Sequence, residues 1–357
     1  MNEFINNSLG KAKLENSLLL HPRFKERINA IKNKVELPIV PSSIALNSDE
    51  LPLQSHGNLS IIKQLNKIKL DPHKGRYLFN DFSFLAYDES IDKFQALEGS
   101  GYLTCHSMIL VDDDDYLSSN CLSFAFYTRS KMLLDKNESI RDGRHSSVTN
   151  GIEEDSIESA FNRDYAKDRA KFILNNCPKN TILLIDGPLI GKQMSDYTVN
   201  LNQKLLERSV IPIFIVKNSS SNLVTDNIPE LNGNFNSDMH WAFKYLSPGE
   251  RTNFFLYQDK YNKKFAKIFC YIKPFNLSPQ RIEIHPNTYQ NREDLIENIM
   301  NILYFFYIAQ GDLKNPQVRP VAIAEIYARE SKKMYNINKL LRGSNIQPTM
   351  NQTRGFR

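Results

Sequence analysis

Asn180-Thr181-Ile182-Leu183-Leu184-Ile185-Asp186-Gly187-Pro188-Leu189 reads as a strand buried on both faces that ends in a carboxylate. Five consecutive apolar or β-branched residues, Thr181 to Ile185, suit the interior of a parallel sheet, where neither face meets water. Gly187-Pro188 then stops the strand, so Asp186 stands where the chain leaves the sheet. In open α/β sheets that carboxyl edge is where ligands and metals bind. Taken alone, Asp186 can equally cap a loop or the next helix. The neighbouring segments decide between these readings.

Outward from this strand the pattern is a βαβ unit. Ile157 to Asn176 places Ile157, Phe161, Tyr165, Ala166, Ala170, Ile173 and Leu174 on one stripe of a helix, with Asp164, Asp168 and Lys171 at its margin. After the strand, Ser195 to Arg208 is helical, with Tyr197, Leu201, Leu205 and Leu206 inward, and Val210 to Val216 is a second buried strand. A right-handed crossover makes the two strands parallel and brings Lys217 out beside Asp186. Lys217 with Asn218-Ser219-Ser220-Ser221 suits a phosphate grip, or a solvated loop after a strand. Gly187-Pro188-Leu189-Ile190-Gly191-Lys192-Gln193 is not a P-loop. It has three residues between its glycines where four are needed, and Gln where Ser or Thr must reach Mg²⁺.

Upstream, Tyr77 to Tyr87 has strand character and carries Asp81 in its middle, either facing solvent or ligating a metal. Phe94 to Ala96, Tyr102 to Val111 and Leu122 to Tyr127 continue as antiparallel strands. Asp112-Asp113-Asp114-Asp115 between two of them is a solvated turn, because adjacent acids point apart and repel. Residues 129–156 are a polar, mobile insertion in which His145 has no partner at ligand spacing; the N-terminal 1–75 form a helical arm and connector, with a short helix from Ile61 to Leu70 ended by Asp71-Pro72. Downstream, Phe254 to Gln258, Phe265 to Ile272 and Arg281 to Ile284 are strands. Glu293 to Gln310 and Val318 to Leu341 form a C-terminal helical pair, and residues 346–357 a loose tail. Glu325, inside the small-residue run Val321 to Ile326, requires a partner; Arg329 one turn on can supply an ion pair.

Composition narrows the class. The 357 residues are 41% hydrophobic and 24% charged, with a formal charge of +5, which permits a polyanionic partner without requiring one. Cys105, Cys121, Cys177 and Cys270 form no CxxC pair, so neither a disulfide framework nor a zinc knuckle is expected, and a reducing cytoplasm fits. No run approaches the roughly 18 apolar residues of a membrane span, and the first 30 residues do not resemble a signal peptide.

The order of elements is that of an α/β, RNase H-like mixed sheet flanked by helices, occupying 76–345. An antiparallel start with an acid on its first strand is followed by a helix with an acid, a strand ending in Asp, a parallel βα continuation, and a late helix with a further acid. Asp81, Asp168, Asp186 and Glu325 are therefore the candidate catalytic and metal-ligating residues, with Asp164 one turn from Asp168 as its alternative. Such carboxylates converge on two Mg²⁺ or Mn²⁺ ions roughly 4 Å apart, which activate water and stabilise the leaving oxygen of a phosphodiester. Lys217, Ser219 and Arg329 are the candidate substrate-binding residues.

At these residues the sequence resembles the NurA nucleases. Leu184-Ile185-Asp186-Gly187-Pro188-Leu189 is similar to the family's Asp-Gly-Ser-Leu strand end, and Val216 to Ser221 to its Lys-Ser/Thr segment. Arg281 to Ile284 and Asn315-Pro316 to Leu341 are similar to its last strand and helix. The departures are Asp81-Phe82-Ser83 for Asp-Gly-Ser, Asp168 where Glu is usual, and Glu325 where His is common, the last favouring Mg²⁺ or Mn²⁺. The resemblance implies a metal-dependent deoxyribonuclease, a homodimer that processes DNA ends with a HerA-type hexameric motor ATPase, in repair or defence against foreign DNA. The departures keep a second reading open, a catalytically degenerate module that binds nucleic acid or the motor without cutting.

Overall fold

The computed structural model describes residues 22–32, 51–52, 57–62, 65–112, 115–136, 157–191, 194–290, 292–337, 339, 343 and 346–349. Most of the N-terminal arm, Asp113-Asp114, most of the insertion including His145, Lys192-Gln193 and the end of the tail lie outside them. Helix α1 (Phe24–Lys32) belongs to a unit spanning residues 1–40 and is separate from the sheet unit, 41–357.

In the sheet unit, β1 (Leu51–Pro52), β2 (Gly57–Ile61) and β3 (Lys67–Lys69) come first. The helix expected over Ile61 to Leu70 is absent, because β2 pairs with a later strand and β3 with another. Asp71-Pro72, read as a helix stop, starts helix α2 (Pro72–Phe79) instead. The Asp71 carboxylate accepts from the His73 and Lys74 amides at 2.8 and 3.2 Å, and proline at the first helical position loses no needed donor. The strand expected over 77–87 therefore begins only at Phe84.

Three long antiparallel strands follow: β4 (Phe84–Gln95), β5 (Ser100–Asp112) and β6 (Asp115–Tyr127). After α3 (Lys131–Lys136), helix α4 (Ile157–Asn176) leads to β7 (Ile182–Asp186), α5 (Ser195–Leu206) and β8 (Ile211–Val216). β7 runs parallel to both β4 and β8, and the order β6-β5-β4-β7-β8 is the RNase H-like arrangement expected from the sequence. Helix α6 (Asp238–Tyr245) and β9 (Glu250–Thr252) precede β10 (Phe255–Asp259), β11 (Ala266–Lys273) and β12 (Gln280–Ile284), which extend the sheet antiparallel from β8. The short α7 (Pro286–Tyr289), α8 (Glu293–Gln310) and α9 (Arg319–Lys333) complete the unit.

Strand pleating sorts the core into two layers, since successive side chains point to opposite faces. Phe84, Ala86, Ile182, Leu184, Ile213 and Ile215 pack with Ile296, Ile299, Leu303 and Phe306 of α8 and Val321 of α9. Leu85, Tyr87, Leu183, Ile185 and Phe214 pack instead with Phe172 and Ile173 of α4 and Leu201 and Leu205 of α5. Gly75 of α2 is required by a close crossing on α8: a Cβ there would stand 2.2 Å from the Asn301 carbonyl oxygen. Among the described residues no helix is long and apolar enough to cross a membrane.

Candidate active site

Two strands end their apolar runs in the same way, Phe84-Leu85-Ala86-Tyr87-Asp88 and Ile182-Leu183-Leu184-Ile185-Asp186. They are parallel and in register, with Tyr87 opposite Ile185, so Asp88 and Asp186 are neighbours at the carboxyl edge. Pleat parity places both on the α8/α9 face, and it places Lys217, which follows β8, on the same face. Gly187 makes the exit possible: its φ of 101° is one that side-chain-bearing residues rarely adopt, and its N–H still reaches the Ile215 carbonyl at 2.9 Å. From α9, Glu325 completes the group.

The Lys217 ammonium lies among the three acids, 3.1 Å from Asp186 Oδ2, 3.1 Å from Glu325 Oε2 and 3.7 Å from Asp88 Oδ2. Asp88 is buried, and its Oδ2 makes no hydrogen bond. Burial, then Asp186 and Glu89, push its carboxyl up to about 8 against the pull of Lys217. Burial likewise raises Asp186, with Lys217 opposing. Glu325 moves the other way: burial would raise it, but hydrogen bonds from Gln317 and Lys217 and the charge of Arg329 hold it below the usual range. Lys217 is held above its usual value, because the surrounding carboxylates outweigh its burial.

Behind the cluster, on the opposite face, Glu89 accepts from Tyr165 and pairs with Arg169 at 3.9 Å. The Arg169 guanidinium donates to the Asp186 carbonyl at 3.1 Å and lies 5.3 Å over the Tyr87 ring. Both loops leaving the site are fastened to β12. Fully buried Glu283 accepts from the Leu189 amide at 2.8 Å and pairs with Lys267 at 2.6 Å and Arg281 at 2.7 Å. Arg281 also donates to Ser219 Oγ at 2.7 Å. Burial and Arg281 draw Lys267 below its usual value, yet Glu283 is held low by Lys267, Arg281 and an amide against its own burial. With two cations and an N–H on one carboxylate, the ionic form is the consistent one.

The structure thus brings together Asp186, Glu325 and Lys217, with Arg329 at the rim as the i+4 partner of Glu325. Asp81 is elsewhere: it is exposed in the turn after α2, before the first residue of β4, on the amino side of the sheet. Asp168 is on the α4 face, lining a pocket of about 410 Å³ with His106, Asn120 and Lys171. Its alternative, Asp164, is buried and accepts from Tyr127 at 3.1 Å. The helix residue that reaches the cluster is Arg169, one position beyond Asp168. Asp88 and Arg169 were missed. The repeated motif of four apolar residues and Asp was the available signal for Asp88, whereas Arg169 lies in a helix of ordinary composition.

The donor set consists of carboxylate oxygens, which suit a hard divalent cation, and the unsatisfied buried oxygen of Asp88 fits such an ion. With Lys217 between the acids, no group of three or more His, Cys, Asp or Glu side chains among the described residues is placed to hold a metal.

A search of curated proteins finds no match. Among solved structures, the NurA nuclease from Sulfolobus solfataricus aligns with 90% of this chain and 95% of its own, at 14% identity and a TM-score of 0.50, which shows a shared fold. Endonuclease V from Ciona intestinalis, at 9% identity, covers 71% of this chain and 87% of its own with a TM-score of 0.37. Endonuclease V from Bacillus subtilis, at 10% identity, covers 74% and 91% with a TM-score of 0.38. These two likenesses are too loose to carry an argument. The family model described as NurA domain matches residues 126–324, more than half of the sequence, and the chain belongs to the NurA family.

Proposed function

We propose that this protein is a nuclease that hydrolyses DNA phosphodiesters at Asp88, Asp186 and Glu325, with Mg²⁺ or Mn²⁺ as cofactor. The observation that carries the reading is the placement of three carboxylates around one ammonium at the carboxyl edge of an RNase H-like sheet, in a NurA-family chain. Asp88 and Asp186, adjacent on paired strands, and Glu325 from α9 would hold the divalent ions once Lys217 has moved aside, and the ions would supply activated water and charge stabilisation at the leaving oxygen. Lys217, once drawn from the acids toward a phosphate oxygen, neutralises substrate charge and frees the carboxylates. Arg169 fixes Asp186 by its main chain, and Arg329 at the rim is a further phosphate partner. Asp81 and Asp168 have no part in this centre.

The test is degradation of labelled DNA with Mn²⁺ or Mg²⁺ by wild type and Asp186→Asn. Loss of cleavage in a variant that keeps its melting temperature supports the reading, and full activity in that variant retires it. A HerA-type motor ATPase and a second copy of this chain are the proposed partners, and solution mass with and without the motor tests both.

One observation favours a second reading. Lys217 already compensates the acids, as it would in a degenerate module that binds DNA without cutting it. Mn²⁺ binding separates the two, because a locked site takes up no ion at millimolar concentration.

A further inference from the structure

Beside the acid cluster, the loop after β8 and helix α6 enclose an open groove of about 740 Å³ with Pro279 at its far wall. Asn218, which follows Lys217 directly, begins one wall. The groove presents two kinds of surface: amide and hydroxyl groups from Asn218, Ser220 and Asn236, and apolar area from Met239, Phe243 and Pro279. Among the described residues that line it there is no Lys, Arg, Asp or Glu. His240, with Ser219, Ser237 and Ser278, completes a lining of hydrogen-bonding groups around an apolar floor, which suits a flat group with polar edges. Cations stand just outside it: Lys273 and Lys244 place their ammonium groups 4.1 and 5.5 Å from the centre of the Phe243 ring.

The wall is fixed in advance. Asp238, fully buried at the start of α6, accepts from the Val224 and Thr225 amides at 2.9 Å each and from Thr225 Oγ1 at 3.1 Å. It also accepts from Ser221 Oγ and from the Tyr271 hydroxyl, each at 2.9 Å. Five donors on one carboxylate hold residues 221–225 against β11, while Arg281 holds Ser219 at 2.7 Å. An irregular segment secured this heavily is a preformed surface.

We propose that the groove holds a nucleobase of the substrate strand next to the scissile phosphate, so that the strand is single-stranded DNA where it crosses the site. A base paired in a duplex has its hydrogen-bonding edge occupied and both faces stacked, and only an unpaired base can bring its edge to Asn218 and Asn236 and its face to Phe243. The inference rests on the nuclease reading for the identity of the ligand, and its test does not depend on cleavage.

The experiment is fluorescence anisotropy of a labelled single-stranded oligodeoxynucleotide in EDTA, with wild type, Phe243→Leu and Asn218→Ala. The same titrations are repeated with a blunt duplex and with an oligonucleotide made abasic throughout. Phe243→Leu, which keeps an apolar side chain at a half-buried position, is expected to lose about tenfold in affinity for the intact single strand. The abasic strand should bind wild type about tenfold more weakly than the intact one, and Phe243→Leu should bind both alike. Unchanged affinity in both variants overturns the proposal, as does an equal loss on intact and abasic strands or a duplex bound as tightly as the single strand. A wild type that shows the base-dependent binding but never cleaves leaves the groove assigned and retires the nuclease reading. One that cleaves while Phe243→Leu and Asn218→Ala bind normally retires the groove alone.

Discussion

Replacing Asp88 by Asn is expected to stabilise the metal-free protein, by an amount that grows with pH. Asp88 is 4% exposed, and burial, then Asp186 and Glu89, push its carboxyl from 3.8 to about 8, with Lys217 opposing. A carboxyl raised in this way keeps its proton in the folded chain while the unfolded chain has already lost it. Stability therefore falls as pH rises from about 4 to about 8, and is level on either side. The full displacement corresponds to roughly 5–6 kcal/mol. That is a ceiling, because water and the Lys217 ammonium relieve part of the buried charge, and about 2–3 kcal/mol is the expected gain above pH 8. Asparagine fills the same volume without the charge. Urea unfolding of wild type and Asp88→Asn in EDTA at about pH 4, 7 and 9 measures the difference. The curves should nearly coincide at the lowest pH and separate steadily above it. A difference independent of pH, or a variant less stable than wild type at pH 9, refutes the reasoning.

Other outcomes follow from the same geometry. Lys217→Met leaves Asp88, Asp186 and Glu325 without their shared cation and should cost about 3 kcal/mol in EDTA; added Mn²⁺ should restore most of it, as read by thermal melting with and without the ion. Glu283→Gln breaks a buried node with cations at 2.6 and 2.7 Å and should cost about 3–5 kcal/mol by urea unfolding at neutral pH. Because Glu283 is held below 4.5, its contribution is present above that value and is lost as pH falls through the depressed one, so the gap between variant and wild type should close in acid. Gly75→Ala drives a Cβ to 2.2 Å from the Asn301 carbonyl oxygen and should cost about 1–3 kcal/mol, visible as a lower melting temperature.

The parallel core was legible because burial on both faces leaves an unbroken apolar run, as in Ile182 to Ile185 and Ile211 to Val216, and because the crossover rule then orients the strands. Helices Ile157–Asn176 and Glu293–Gln310 appear with the boundaries that their spacing gives. The first strand was displaced by one reversed signal. Asp71-Pro72 caps a helix start by side-chain hydrogen bonds, and a Pro preceded by Asp fits a stop equally well until those bonds are known. Once Tyr77 to Phe79 are helical, Asp81 falls into a turn and the strand acid becomes Asp88. Arg169 was illegible for another reason: its partners, Glu89 and the Asp186 carbonyl, lie 80 and 17 residues away in sequence, and only the packing of α4 on the sheet joins them. Glu325 received both of its readings at once, since it pairs with Arg329 along the helix and with Lys217 across the site.

Asp88 on β4 and Asp81 in the turn before it are told apart by one comparison of cleavage. Labelled linear DNA is incubated with Mn²⁺ or EDTA and with wild type, Asp88→Asn or Asp81→Asn, all three shown to be folded by their melting curves. Mn²⁺-dependent cleavage by wild type and by Asp81→Asn is expected at comparable rates, with a loss of at least about a hundredfold in Asp88→Asn, in line with removal of a group that stabilises transition-state charge. Full activity in Asp88→Asn, or its loss in Asp81→Asn, would contradict the claim that chemistry takes place at Asp88, Asp186 and Glu325.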